Sequence, residues 1–591
     1  MAAPPTFPYA AARRRIVGWL GGHRDLGLLG LALVLGFASA YAAIGFSLAV
    51  AWLEANIAFA GTGDGDPWWW WPLLTLPLGG LVVGLAIARI TRDGRPEGVA
   101  DVIDAYVRPG RRLSLREGAV HAAISAGSIG VGASVGREGP VVHLGASVAC
   151  QIGGWLRLDR DSVRILIGCG VAAAIAASFN APIAGVFFAL EVVIGNYGLR
   201  AFAPIVIASV AGTMISRAHF GDFPAFVVPP HEMASVWEFP AFALLGAGAA
   251  VIATAFVRTA EALRAGAAAT RLPAWARPAV GGLLIAAIAV FFPEVMGVGY
   301  ASTDSALQAG LPLGMMLALL AAKFAATVLS IGFGFGGGVF SPSLYLGAMY
   351  GGAFGLIAAQ IFPALASSHG VYALVGTTAV AGAVLGAPIS TILMVFELTG
   401  SYPLTAAMMV ATVVGGVVQF ELKGRSWFHT QLRQRGRDIS GDRVALVTEG
   451  IPVRTVMRAD PATVAADAPL AVVRDRLPYA PGGQVYVVEA DGRLRGVIRL
   501  EALAELVDAE EGEGEAPVTA ADIASQAVPA LTPDASLEEA RRRLETSGAS
   551  RLPVVADTQQ CRLVGQVDAR DVLRAMHRAL RDRVTEQEGH G

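Results

Sequence analysis

Residues 128–146 read SIGVGASVGREGPVVHLGA, and residues 330–348 read SIGFGFGGGVFSPSLYLGA. With Pro140 laid over Pro342, Ser128, Gly130, Gly132, Gly136, Pro140, Leu144, Gly145 and Ala146 all find identical partners. Farther along, APIAGVFFALE (181–191) lies over APISTILMVFE (387–397), pairing Ala181, Pro182, Ile183 and Glu191 with Ala387, Pro388, Ile389 and Glu397. Two blocks recurring in the same order at nearly the same spacing mark a duplicated half. Each copy interrupts apolar sequence with glycines, which weaken a helix and permit unusual dihedrals. A proline then stands where a first helical turn accepts one. The pattern reads as a broken helix, and duplicated transporters hold substrate where such breaks meet. Close packing through small residues explains Gly145 and Gly347. It does not explain the charged pair Arg137–Glu138 in surroundings so apolar.

The bulk properties supply the setting. The 591 residues are 54% hydrophobic and only 16% charged, with a mean hydropathy of +0.55. The runs Leu26–Ala51 and Leu73–Ile90 reach the roughly 20 apolar residues that cross a bilayer. The same density recurs at Val163–Val193, Ala201–Ile215, Phe239–Phe256, Pro278–Phe292, Leu313–Val328 and Val371–Val418. This predicts a multi-pass membrane protein. Arg13, Arg14 and Arg15 precede the first run, and Lys423, Arg425, Arg433, Arg435 and Arg437 follow the last. The positive-inside bias places both termini in the cytoplasm, and Trp68–Trp71 suit the opposite interface. Lys323 and Lys423 are the only lysines among 45 basic residues, a bias of GC-rich genomes that points to a bacterial plasma membrane. MAAPPTFPYAAARRR at the N-terminus lacks the order of a cleavable signal. Cys150, Cys169 and Cys561 share no metal-ligand spacing and are expected as free thiols. The net charge of −2 suggests no particular partner, and no nucleic-acid partner is expected.

From about residue 433 the composition changes, opening with RQRGRDISGDR. A second duplication follows: TVAADAPLAVVRDRL (463–477) lies over ALTPDASLEEARRRL (530–544), matching Asp467, Ala468, Leu470, Arg474, Arg476 and Leu477. Each copy continues into a strand-like run, QVYVVEADGRLRGVI or RLPVVADTQQCRLVGQV, and then a short helix. The order resembles a pair of CBS modules, with the acidic DAEEGEGEA (508–516) as a linker. The expected divisions are a cytoplasmic segment 1–24, a membrane domain 25–432, a linker 433–452, a first module 453–507, an acidic linker 508–518, a second module 519–580 and a tail 581–591.

GREGP (136–140), GVFSP (338–342), FNAPIAGVFFALE (179–191) and FELTGSY (396–402), followed by a CBS pair, together resemble the CLC family of chloride channels and proton-coupled chloride exchangers. The resemblance spans essentially the whole chain. It implies an all-α membrane domain of two inverted repeats with broken helices, a cytoplasmic α/β CBS pair, and a homodimer in the bilayer whose subunits each carry a pathway. Chloride is the implied ligand, with other monovalent anions and protons as further partners, and no cofactor is required.

Elementary physics agrees with that task. A helix N-terminus offers unpaired amides and about half a positive charge, enough to hold an anion without a full cation. Such weak holding suits conduction, since the ion must leave again. Helices starting at Gly136, Arg137 and Gly139 and at Gly338, Val339 and Phe340 would aim their amides at one site. Glu138 then becomes a tethered competitor for the anion, able to swing away once protonated. Desolvation disfavours a charged carboxyl and so brings protonation toward physiological pH. Arg137 either adds positive potential or pairs with a carboxylate.

The resemblance also implies departures. The family usually has a GSGIP-like sequence before the gate; RDGRPEG (92–98) stands here, with Asp93 in the serine's place and Gly94, Arg95 and Pro96 able to present backbone. Phe428 holds the place of a family tyrosine, so it can line a pore but not donate a hydrogen bond. Val192 holds the place of the internal proton glutamate, which favours a channel or loose coupling. A stoichiometric chloride/proton antiporter is the alternative. Glu191 and Glu397 are expected to brace or cap helices. In the tail, Asp571 could hold the ribose of an adenine nucleotide, while Ala502 stands at the equivalent place of the first module.

Two other classes fare worse. A CBS-containing cation transporter needs clustered oxygen ligands, and Glu138, Glu191 and Glu397 are spread apart. An enzyme would need a nucleophile–base pair or a motif such as HExxH; His121, His143 and His219 are isolated in the sequence. No catalytic or metal-ligating residues are expected.

Overall fold

The computed structural model describes residues 24–60, 70–108, 113–195, 197–221, 233–308, 310–435, 451–500, 518–525, 529–557 and 561–588. Contacts divide the chain into two units, Met1–Asp438 and Ile439–Gly591.

The described residues of the first unit are helical apart from turns and loops. Eight helices among them are long and apolar enough to cross a membrane: Asp25–Ala58, Trp71–Ile90, Arg160–Phe179, Leu199–Phe220, Val236–Ala269, Leu313–Gly332, Phe340–Ile361 and Tyr402–Glu421. Two apolar runs that looked continuous are broken. Val163–Val193 splits where Asn180 turns left-handed (φ 58) and Pro182 opens the next helix. Val371–Val418 splits at Gly386 (φ 71) before Pro388, and again at Gly400 (φ 62). Left-handed residues end helices by freeing the chain to turn, and a following proline starts a new one without needing an amide partner. The break falls at the same place in each half.

The two halves meet about an approximate two-fold relation, legible in reciprocal hydrogen bonds. The Gly136 amide donates to the Gly338 carbonyl at 2.6 Å, and the Gly338 amide to the Gly136 carbonyl at 2.7 Å. The Ser134 amide donates to Ser330 Oγ, and the Gly336 amide to Ser128 Oγ, each at 3.0 Å. Glu191 caps the helix Pro388–Thr399 by accepting the Ile389 and Ser390 amides at 3.0 and 2.8 Å. Glu397 caps the helix beginning at Pro182 by accepting the Ile183 and Ala184 amides at 2.8 and 2.7 Å. Glycine permits close approaches: a Cβ on Gly145 would stand 2.5 Å from the Gly170 carbonyl oxygen, and one on Gly347 2.5 Å from that of Gly376.

The second unit is α/β. Strands Thr463–Ala465, Gln484–Val488 and Leu494–Arg499 form one sheet in that order, its first pair parallel and its second antiparallel. Strands Arg551–Val555 and Leu563–Asp568 pair antiparallel in a second sheet. The helix Leu537–Ser547 is capped by Ser536, whose hydroxyl accepts the Glu539 amide at 3.1 Å. Each module buries its own apolar core, Leu477, Val485, Val487 and Ile498 in the first and Leu537, Leu552, Val554 and Val567 in the second. Ala502 and the acidic segment 508–516 lie outside the described residues.

Candidate functional site: a carboxylate between two cavities

Helices Glu138–Leu156 and Phe340–Ile361 both begin in the glycine motif, one in each half. The left-handed Gly132 (φ +100) and Gly334 (φ +94) turn the chain ahead of each start. The Gly136–Gly338 bridge then holds the two starts side by side. The Glu138 carboxylate reaches from the first start to the second. Its Oε2 accepts the Ser341 amide at 3.3 Å, and its Oε1 accepts the Ser341 hydroxyl at 2.5 Å and the Tyr300 hydroxyl at 2.8 Å. A side-chain oxygen thus takes up an orphan amide that an anion at this helix N-terminus would otherwise meet.

Cavities lie on both sides of this contact. The larger, about 560 Å³, is lined by Gly94, Arg95, Pro96, Glu138, Gly139, Gly338, Val339, Phe340 and Phe428 among others. Nine of the expected site residues therefore do surround one space. Its aromatic wall is braced by rings of Phe179 and Phe188, 5.1 and 5.8 Å from that of Phe340. The smaller cavity, about 300 Å³, is lined by Arg137, Ser178, Asn180, Ser216 and Tyr300.

The remaining expectations fall elsewhere. Gly136 is spent on the inter-half bridge and Arg137 faces the smaller cavity, so neither lines the larger one. Arg137 Nε is 3.9 Å from Glu138 Oε1, and its guanidinium stacks 4.7 Å from the Tyr300 ring centroid. Asp93 is outside the larger cavity's lining, with its side chain 57% exposed and 3.5 Å from Arg95. The Gly98 amide that opens the helix Val99–Val107 is taken by the Asp101 carboxylate at 3.0 Å. Beyond backbone, the loop brings the Arg95 guanidinium and the Glu97 carboxylate to the cavity. Val192 sits in the wide helical turn Ala189–Ile194. In the tail, Asp571 Oδ2 accepts from Arg458 Nε and Nη2 at 2.9 and 2.8 Å, so a ribose there would have to displace a guanidinium.

Several residues that line the cavities or contact Glu138 escaped the sequence reading. Tyr300 lies in a segment with no repeat signal. Ser341 lies in GVFSP (338–342), and its alignment with Gly139 is a legible asymmetry between the halves. Arg264, Arg277 and Arg435 also line the larger cavity; of these, the sequence reading took Arg435 as flanking charge and did not single out the other two. Asp101 clamps Arg95 at 2.9 Å and Arg435 at 3.0 Å.

Comparison with known proteins places this geometry. Residues 79–419 match the family model described as "Voltage gated chloride channel", and residues 453–509 and 520–578 match the CBS domain. The chain is 34% identical over 399 residues to a Ralstonia nicotianae protein named "Putative chloride channel protein ClcB-like", covering 66% of this chain and 93% of that one. It is 28% identical over 316 residues to an "H(+)/Cl(-) exchange transporter ClcA" of Vibrio cholerae, covering 52% of this chain and 67% of that one. The solved structure of a eukaryotic CLC transporter superposes with a TM-score of 0.62 at 20% identity, over 92% of this chain and 97% of that one. By the family match across most of its membrane unit, this chain belongs to the voltage gated chloride channel family, whose members transport ions rather than act as enzymes, and it carries a CBS pair behind that unit.

Proposed function

We propose that the protein is a chloride-permeable, multi-pass protein of a bacterial plasma membrane, closed by the Glu138 carboxylate and opened when that group is protonated. The observation that carries this reading is the carboxylate's position, in hydrogen-bond reach of the Ser341 amide and hydroxyl at the start of the facing half's helix. Ionised, it competes with chloride for those donors. Protonated, it loses the charge that draws it there, and the two cavities can join around it.

Conduction as a channel or a loosely coupled pathway is favoured by Val192, which offers no proton acceptor at the place implied for the internal glutamate. Strict exchange is the alternative, and one of the relatives above bears that name. The protein works as a homodimer with both termini cytoplasmic, and an adenine nucleotide at the CBS pair would act through Asp571.

Chloride-loaded proteoliposomes diluted into low-chloride buffer should lose chloride once a potassium ionophore dissipates the voltage, faster at acid pH. Simultaneous external pH recording separates the two modes: a fixed proton-to-chloride ratio means exchange. Glu138→Gln should raise the flux and flatten its pH dependence. Loss of flux in a folded Glu138→Gln protein would refute the gate.

A further inference from the structure

Glu97 lines the larger cavity from the loop 91–98 and takes no part in the gate. Its Oε2 lies 3.1 Å from His143 Nε2 and 3.5 Å from His121 Nε2. Both imidazoles are buried, at 1% and 5% exposure, with ring centroids 5.8 Å apart and planes at 89°. A carboxylate and two imidazoles so placed form one cluster of ionisable groups, isolated in the sequence and joined only by folding.

We propose that Glu97, His121 and His143 form a second proton-binding site, whose charge governs how readily an anion enters the larger cavity. The inference rests on that cavity being an anion pathway. It concerns a group distinct from Glu138.

The hydrogen bonds indicate where the proton goes. The Glu97 amide donates to His121 Nδ1 at 3.3 Å, so that nitrogen is unprotonated while the bond stands, and the His121 proton sits on Nε2. Both ring nitrogens of His143 are buried and neither makes a hydrogen bond among the described residues; Nε2 faces Glu97 and Nδ1 faces away from it. His143 is the member of the unit that can take a proton without breaking a bond. An unperturbed imidazole changes charge between about pH 5 and 8.

The surrounding charges make that proton consequential. From the same loop comes Arg95, and from the helix Val99–Val107 comes Asp101. Arg435 reaches Asp101 from the end of the helix Trp427–Gln434. At the start of the His121 helix, Glu117 is paired with Arg92 at 3.0 Å. Arg92 pairs with Glu117, Asp101 takes two guanidiniums, and Arg264 and Arg277 line the same cavity. Ionised Glu97 offsets part of this positive charge. One added proton on the unit removes that offset and makes the cavity one charge more positive, where poor screening lets an anion feel it.

The test uses the full-length protein in excised patches from giant proteoliposomes, with orientation read from protease access to the tail. In the Glu138→Gln background the gate no longer titrates, so the remaining pH response belongs elsewhere. Taking the tail side from about pH 7.5 to about 5.5, across the imidazole range, should raise chloride current roughly threefold to tenfold, the effect of one charge at this distance. His143→Gln should abolish that response at the low level. His121→Lys, with a fixed charge beside Glu97, should hold the current high at both pH values. The opposite signs exclude a general loss of folding. A tail-side response surviving in His143→Gln, its absence from the Glu138→Gln parent, or a low current in folded His121→Lys would overturn the proposal. A Glu138→Gln protein matching wild type on both sides would sink the gate instead, and the histidine variants would still report on this site.

Discussion

Glu138 has no acidic counterpart in the second half, where Phe340 stands in its place, and Gly139 is answered there by Ser341. The duplication therefore offers two helix starts but one carboxylate, and the second start supplies donors in place of an acid. Tyr300 adds the third donor and also carries the Arg137 guanidinium on its ring. Hydrogen bonds to charged groups are worth about 1.5–3 kcal/mol, so removing one should weaken the closed state about tenfold or more. Tyr300→Phe is expected to raise chloride efflux near neutral pH by roughly that factor and to move acid activation toward higher pH. Ser341→Ala should do the same with a smaller effect, since the Ser341 amide remains. Equal efflux in wild type and Tyr300→Phe across the pH range would show that the hydroxyl does not hold the gate shut.

At the scale of elements, the helix breaks need partners because each new N-terminus exposes amides inside the membrane. Glu191 and Glu397 meet that need crosswise, each from the end of one half's apolar run to the start of the other's. Bracing was the expectation for both, and the reciprocity explains why it takes a pair. Glu191→Ala and Glu397→Ala should each cost about 3 kcal/mol, the loss of hydrogen bonds to a charged acceptor. Thermal unfolding in detergent should show similar drops, and a drop in only one variant would break the symmetry argument. Helix contact is the other element-scale constraint. Gly145 and Gly347 each approach a backbone carbonyl of the next helix so closely that a methyl cannot fit. Gly145→Ala and Gly347→Ala should lower expression and unfolding temperature together, by about 1–3 kcal/mol or more for overpacking.

For the whole molecule, the chain passes from the larger cavity toward its tail through the helix Trp427–Gln434. Trp427, Phe428 and Arg435 line the cavity, and Arg435 is locked to Arg95 through Asp101. Asp101→Asn should loosen both arginines and change anion selectivity as well as stability, read as a shift in reversal potential between chloride and nitrate. The tail adds its own pH dependence. Burial opposes ionisation of Asp568, but the Arg570 amide and the Arg551 guanidinium outweigh it, holding this carboxyl below its usual range. A carboxyl held low stabilises above the unfolded value, near 3.9, and the contribution fades as pH falls through the folded one. Asp568→Asn should therefore lower the tail's melting point by a few degrees at neutral pH, with an effect that shrinks as pH falls below the unfolded value. Scanning calorimetry of the full chain reads both transitions.

The sequence by itself determined the duplication, the apolar lengths that cross a membrane, the CBS pair and the position of one acid in a glycine-rich helix start. These are properties of local dihedral freedom and of apolar length, which neighbouring residues settle. Only the tertiary structure decided what that acid touches. Tyr300 is 162 residues away from Glu138 along the chain, and its hydroxyl arrives through helix packing that no periodicity encodes. The same holds for Glu97 between His121 and His143, and for Asp101 between Arg95 and Arg435. Such contacts join turns and helix ends from remote segments, and the chain must be closed about its approximate two-fold before any of these groups can meet.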